Sequence, residues 1–155
     1  MPTVIHGRVP RTSVAEVLAR LLPLCGRERI AVIRSIDSSH SQRDLARVFD
    51  FQHVPYDLIN GNVCMSMDDL GKALDAEMFS GFDEVWVCGD TPPSFDLGLL
   101  PAATSDATDF SEGAPSAILD AVERTQCLFL VGDGCGLNYA TTDDRIAKEI
   151  QGLQS

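Results

Sequence analysis

Three short runs rich in β-branched residues, RIAVIRSI, DEVWVC and CLFLV, alternate along the chain with segments whose apolar residues recur at helical spacing. That alternation restricts the fold more than any other feature, because strands and helices in such an order bury their apolar faces best as helices laid on a sheet. In TSVAEVLARLL the residues Val14, Val17, Leu18, Leu21 and Leu22 share one helical face, and Ser13 and Glu16 stand at capping-box spacing. Pro23 stops or kinks that helix, and Gly26 suits its C-terminal cap. SSHSQRDLARVFDF is a second predicted helix, with Leu45, Val48 and Phe49 inward. SMDDLGKALDAEMF is a third, capped by Ser66, with Met67, Leu70, Leu74 and Met78 on its inner face and a stop at Gly81. Its Asp68 and Asp69 suit the positive end of the helix dipole.

Residues 2–6, PTVIH, and the stretch VPYDLI add weaker strand candidates, the latter followed by a turn at Asn60-Gly61-Asn62. Pro115 opens a helix with Ile118, Leu119 and Val122 inward. CLFLV and GLNYA flank Asp133-Gly134, a hairpin signal, and Thr141 or Thr142 caps a last helix that turns Ile146, Ile150 and Leu153 inward. The expectation is one α/β domain over 1–155, a mixed β-sheet flanked by helices in two or three layers, with a C-terminal β-hairpin and helix. A length of 155 residues, of which 45% are apolar, suits one domain with a real core. No apolar run approaches the roughly 18 residues that cross a bilayer. The first residues show no signal-peptide pattern, so the chain is expected in the cytoplasm.

Charge is distributed unevenly. The net charge is −11, yet residues 1–47 hold eight basic and four acidic residues, leaving four basic and nineteen acidic ones from 48 on. Between Lys72 and Arg124 there is no basic side chain, and eleven carboxylates fall in that interval. Phosphate backbones and anionic membranes would be repelled by such a region, so nucleic acid and membrane are disfavoured as its partners. The oligomeric state is left open.

The motifs that carry chemistry are weak. In LVGDGCGLNYA the glycines fall at 132, 134 and 136, while a dinucleotide fingerprint needs one at 137, where Leu137 stands. A tight hairpin accounts for them. No Gly-Lys-Ser/Thr phosphate loop, paired His or EF-hand run is present, so no metal or cofactor is expected. The five cysteines are odd in number, widely spaced and without a C-x-x-C pair, which argues for buried free thiols. Asp37, Ser38, Ser39, His40, Cys88 and Asp90 follow strand candidates, and in a parallel sheet they would meet at the carboxyl edge. That cluster supports an alternative reading as a small hydrolase or transferase with Asp37, Ser39, His40, Cys88 and Asp90 at its centre.

From Gly89 to Gly113 the chain turns rich in Pro, Ser, Thr, Asp and Gly, a length of loop that is usually functional or mobile. Asp83, Glu84, Asp90, Asp96, Asp106, Asp109 and Glu112 supply charge in and beside it, and Phe95 and Phe110 supply apolar anchors inside a polar rim. With FSGFDEVWVCGDTPP and its acidic α/β character, the chain resembles the small acidic immunity proteins of bacterial toxin systems. The resemblance implies a non-catalytic inhibitor that occludes a basic partner protein such as a secreted toxin, and the charge and apolar pattern offers those nine residues as its contact surface.

Overall fold

A computed structural model of the chain describes residues 3–26, 28–34, 53–75, 84–89, 100–101, 115–132 and 136–153. In chain order its elements are β1 (Ile5–Pro10), α1 (Val14–Leu21), β2 (Ile30–Arg34), β3 (Asp57–Ile59), β4 (Asn62–Ser66), α2 (Met67–Asp75), β5 (Glu84–Cys88), α3 (Ser116–Thr125), β6 (Leu128–Gly132), β7 (Gly136–Thr141) and α4 (Asp144–Gly152). The seven strands form one sheet in the order β1-β7-β6-β5-β2-β4-β3.

Each side of the sheet has its own core. On the first face Ala31, Ile33, Val63, Met65, Val85, Val87, Leu128 and Leu130 pack with the inward residues of α1, α2 and α4, among them Val17, Leu18, Leu70 and Ile146. On the second face Val32, Cys64, Trp86, Phe129, Val131 and Ala140 lie under Ile118, Ala121 and Val122 of α3, with Leu100 beside them. The partition follows from strand geometry, since neighbouring side chains point to opposite sides. With both sides covered, β5, β6 and β7 are buried along their whole length. Hence EVWVC and LFLVG read as continuous apolar runs rather than alternating ones.

The α/β class, the C-terminal hairpin of β6 and β7 and the final helix are as the sequence predicts, in three layers. The sheet differs in one respect: all six pairings are antiparallel. The strands joined through α1 and α2 do run the same way, but other strands lie between them. β4 and β5 both flank β2, and β7, β6 and β5 lie between β1 and β2. This is a split arrangement of crossover units. Periodicity identifies elements without naming their neighbours, so a mixed sheet was the natural expectation.

Local chemistry sets several boundaries. The Ser13 hydroxyl accepts from Glu16 N–H at 3.2 Å, and α1 stops at Leu21, before Pro23. At α2 the Ser66 hydroxyl accepts from Asp69 N–H at 3.2 Å and donates to its carboxylate at 2.9 Å. The cap of α4 is Asp143, whose carboxylate accepts from Arg145 N–H at 2.9 Å, rather than Thr141 or Thr142. Thr141 ends β7 and is engaged in its ladder, so its hydroxyl instead accepts from Asp143 N–H at 3.1 Å. β1 begins later than PTVIH and runs to Pro10, which an edge strand tolerates at its end. Gly7 makes room there: a Cβ would lie 3.1 Å from the Tyr139 hydroxyl on the paired strand, and that side chain would have to shift.

β3 and β4 form a hairpin through Asn60 and Gly61, with φ of 53° and 79°, the left-handed pair that a two-residue turn requires. β4 itself was not expected from the sequence. The helix predicted over 38–51 and the Gly81 stop lie outside the described residues. Among the described residues no helix is long and apolar enough to cross a membrane.

Candidate functional site

The described residues concentrate their buried polar groups in one line. Register places Arg8 of β1 opposite Asn138 of β7, Asn138 opposite Val131 of β6, Val131 opposite Glu84 of β5, and Glu84 opposite Arg34 of β2. Asn62 of β4 continues the line one position past the Ile33–Val63 pair. All of these positions share the second face by the alternation of their strands. The line crosses the sheet near the end where β2 finishes and β5 begins.

Its centre is an ion pair. Glu84 is 1% exposed and Arg34 is 7% exposed. Arg34 Nη1 lies 3.7 Å from Glu84 Oε1. Its Nε donates to Asn62 Oδ1 at 3.0 Å and Nη1 donates to the Leu100 carbonyl at 3.2 Å. Trp86 Nε1 donates to Glu84 Oε1 at 2.7 Å from two residues along the same strand face. Burial pulls the Arg34 pKa below its ordinary value, against the opposing pull of Glu84 and Cys64. A guanidinium keeps its proton under such a pull. At the far end of the line Arg8 Nη1 donates to Asn138 Oδ1 at 3.4 Å.

Chemically this is an anchored pair rather than a reactive one. The cation and the carboxylate face each other, Asn62 and the Leu100 carbonyl also accept from the guanidinium, and Trp86 donates to the carboxylate. Arg34 also fixes the backbone at Leu100, which lies within the long stretch between β5 and α3. Taking two charges out of water offsets most of their mutual attraction, so such a pair adds little net stability. Removing either partner alone leaves an uncompensated buried charge.

Glu84 therefore faces the interior, not a partner. Its position in EVWVC alternates with Val85 and Val87, so it points to the side where Trp86 and Cys88 point. The other eight predicted contact residues, Asp83, Asp90, Phe95, Asp96, Asp106, Asp109, Phe110 and Glu112, lie outside the described residues. So do Asp37, Ser38, Ser39 and His40 of the alternative cluster. Among the carboxylates of the Lys/Arg-free interval, Asp120 on α3 is exposed and Glu123 is half-buried.

Cys88 corrects a second expectation. It is not a free thiol but is bonded to Cys127, one position beyond the Val87–Leu128 pair of β5 and β6. Odd count and wide spacing do not reveal two residues that meet across a sheet after 39 positions. The alternative cluster thereby loses its candidate thiol, while its hydroxyls, Ser38 and Ser39, lie outside the described residues. Its premise of parallel carboxyl edges fails as well, since Cys88 ends β5 opposite Ile30, where β2 starts. Cys25 and Cys64 are free and buried. Burial pushes the Cys64 thiol up to about 11, and its Sγ donates to the Asn62 carbonyl at 3.5 Å.

At the opposite end of the sheet, a polar cleft of about 390 Å³ is lined by Arg29, Gln126, Thr141, Thr142, Asp143, Asp144 and Ile146. Partial burial pushes the Asp143 carboxyl up, but side-chain and backbone hydrogen bonds from Arg145 outweigh it and hold the carboxyl below its ordinary range. No group of three His, Cys, Asp or Glu side chains suited to a metal occurs among the described residues.

Sequence reasoning missed Arg34, Asn62, Arg8 and Asn138. A signal was present: Arg34 and Glu84 each interrupt an apolar strand run, and they carry opposite charge. Comparison of the chain with family models, curated proteins and solved structures finds no match.

Proposed function

We propose that this chain is a non-catalytic binding protein that occludes a basic partner protein, in the manner of an immunity protein covering a toxin. The observation that carries the reading is the interval from Lys72 to Arg124, with eleven carboxylates and no basic side chain between them. Carboxylates on a surface steer a basic partner into encounter and fix its register. Glu84 leaves the contact set because it is buried against Arg34 and Trp86. Asp83, Asp90, Asp96, Asp106, Asp109 and Glu112 remain as the charged contacts, with Phe95 and Phe110 as apolar anchors. Asp120, exposed on α3, extends the same charge. The encounter belongs to the cytoplasm in this reading. Engagement of the Cys88 thiol in a disulfide counts against nucleophilic catalysis at that position.

The test begins by isolating the partner by affinity capture and identifying it, then measuring its affinity for the quadruple variant Asp90→Lys, Asp96→Lys, Asp106→Lys and Asp109→Lys. Like charges set against a basic surface cost several kcal/mol, so a loss of at least roughly 100-fold and a flattened salt dependence are expected. Glu84→Gln serves as the internal control: its folded fraction should bind as the wild type does. Unchanged affinity and salt dependence in the quadruple variant would sink the surface assignment.

A further inference from the structure

We infer that the Cys88–Cys127 disulfide is a redox-responsive staple, built so that a dithiol reductant opens it by local fraying of the sheet end rather than by unfolding of the whole chain. This goes beyond the binding reading and does not rest on it. Three observations carry it.

The first is the position of the bond. On the second face, β5 and β6 present Glu84 beside Val131, then Trp86 beside Phe129, then Cys88 beside Cys127. The Trp86 and Phe129 rings lie 4.7 Å apart, inside the staple. The disulfide is the outermost of these rungs, and its Cα atoms are 4.4 Å apart, the spacing of a close antiparallel pair. The second is the contrast in exposure across a single residue. Cys88 and Cys127 are 0% and 1% exposed, while Gly89 and Gln126, the next residues outward, are both exposed. Gln126 also sits at φ 55°, and its N–H closes α3 by donating to the Val122 carbonyl at 2.8 Å. Release of that last turn and of Gly89 uncovers the sulfurs while Trp86, Phe129 and the first-face core stay packed, a local opening of the kind that ends of elements undergo. The third is the absence of a competing thiolate among the described cysteines. Cys64 is separated from β5 by β2, and Cys25 belongs to the core of the other face.

The chemistry is ordinary thiol–disulfide exchange. A thiolate of the dithiol attacks one protein sulfur and forms a mixed disulfide. The other protein sulfur leaves as a thiolate and takes up a proton. The second thiol of the reductant then displaces the protein sulfur still attached. Two electrons pass to the protein, Cys88 and Cys127 become thiols, and the reductant becomes a disulfide. Reduction frees the chain between them, including every acidic residue from Asp90 to Glu123, from a closed loop spanning a separation of 39 positions.

The test uses the full chain. Samples equilibrated in glutathione buffers of graded ratio are quenched with N-ethylmaleimide in guanidinium, and adducts are counted by intact mass. Two adducts beyond those carried by the other cysteines should appear together as the buffer becomes reducing, matching loss of the linked Cys88–Cys127 peptide from a non-reducing digest. Opening a loop of this size should lower Tm by roughly 10 °C. Hydrogen exchange should rise in residues 116–130 and stay unchanged in α1 and α4. Reduction by dithiothreitol should outpace global unfolding measured under the same conditions. Absence of the linked peptide, an unchanged Tm, or reduction no faster than global unfolding overturns the inference. The wild-type chain supplies all these readouts, so no variant need fold.

Discussion

The two faces of the sheet are built on different rules. The first lies under three helices, and its core is built mainly from aliphatic side chains such as Leu18, Ile33, Val85, Leu130 and Ile150. The second lies, among the described elements, under α3 alone and carries the line from Arg8 to Asn62 together with the disulfide. An apolar face tolerates many combinations of side chains so long as volume is kept. A face with a buried ion pair tolerates very few, because each polar atom must find its own partner. The second face thus fixes where particular segments dock, Leu100 above all.

The sharpest way to break this comparison is Glu84→Ala. It leaves the Arg34 cation buried without its carboxylate and should cost about 3–5 kcal/mol in urea denaturation. Replacing both partners, Arg34→Met with Glu84→Met, should restore stability to near the wild-type value, since an apolar pair of similar volume avoids the desolvation cost. A single variant that costs below about 1 kcal/mol would show that the pair is not the centre of the second face. On the first face Leu18→Ala should cost about 3 kcal/mol through the cavity it leaves, and no second substitution elsewhere should rescue it.

The smallest of the three effects lies at the helix that covers the first face. Asp143→Ala removes the cap of α4 and should cost about 1 kcal/mol near neutral pH. Because the Asp143 carboxyl is held below its ordinary range in the folded chain, its contribution is present above the unfolded value of about 4. It disappears as pH falls through the lower folded value. Denaturation of wild type and variant from neutral to strongly acidic pH should show the gap closing in that direction, and a gap that widens on acidification would contradict the assignment.

Which parts were legible in the sequence follows from how local their causes are. α1, α2 and α4 are visible because their apolar spacing and first turns are read within a dozen residues. β2, β5 and β6 are visible because a strand covered on both sides is a short, nearly unbroken apolar run, and β7 is visible from the Asp133-Gly134 turn signal ahead of it. NVCMS was overlooked as β4 because it sits between two stronger signals, the Asn60-Gly61 turn and the Ser66 cap. Strand order, the Arg34–Glu84 pair and the Cys88–Cys127 bond all join residues distant in sequence, and composition cannot tell which members meet. Glu84 shows the limit most clearly. Counted with its neighbours it belongs to an acidic surface, but counted along its strand it shares a face with Trp86.

The strand order also dictates a schedule of assembly. Among the described strands β1 pairs only with β7, so Ile5 waits for Thr141 before that ladder can close. β2 likewise waits for both β4 and β5. Until the residues of β7 have been made, β1 therefore lacks that ladder, its N–H and C=O groups available to any other extended chain. Pairings over such sequence separations also slow the search for the native sheet. Exposed His6, the charged Arg8 and the terminal Pro10 make that waiting strand a poor template for aggregation, a protection that matters before the fold exists.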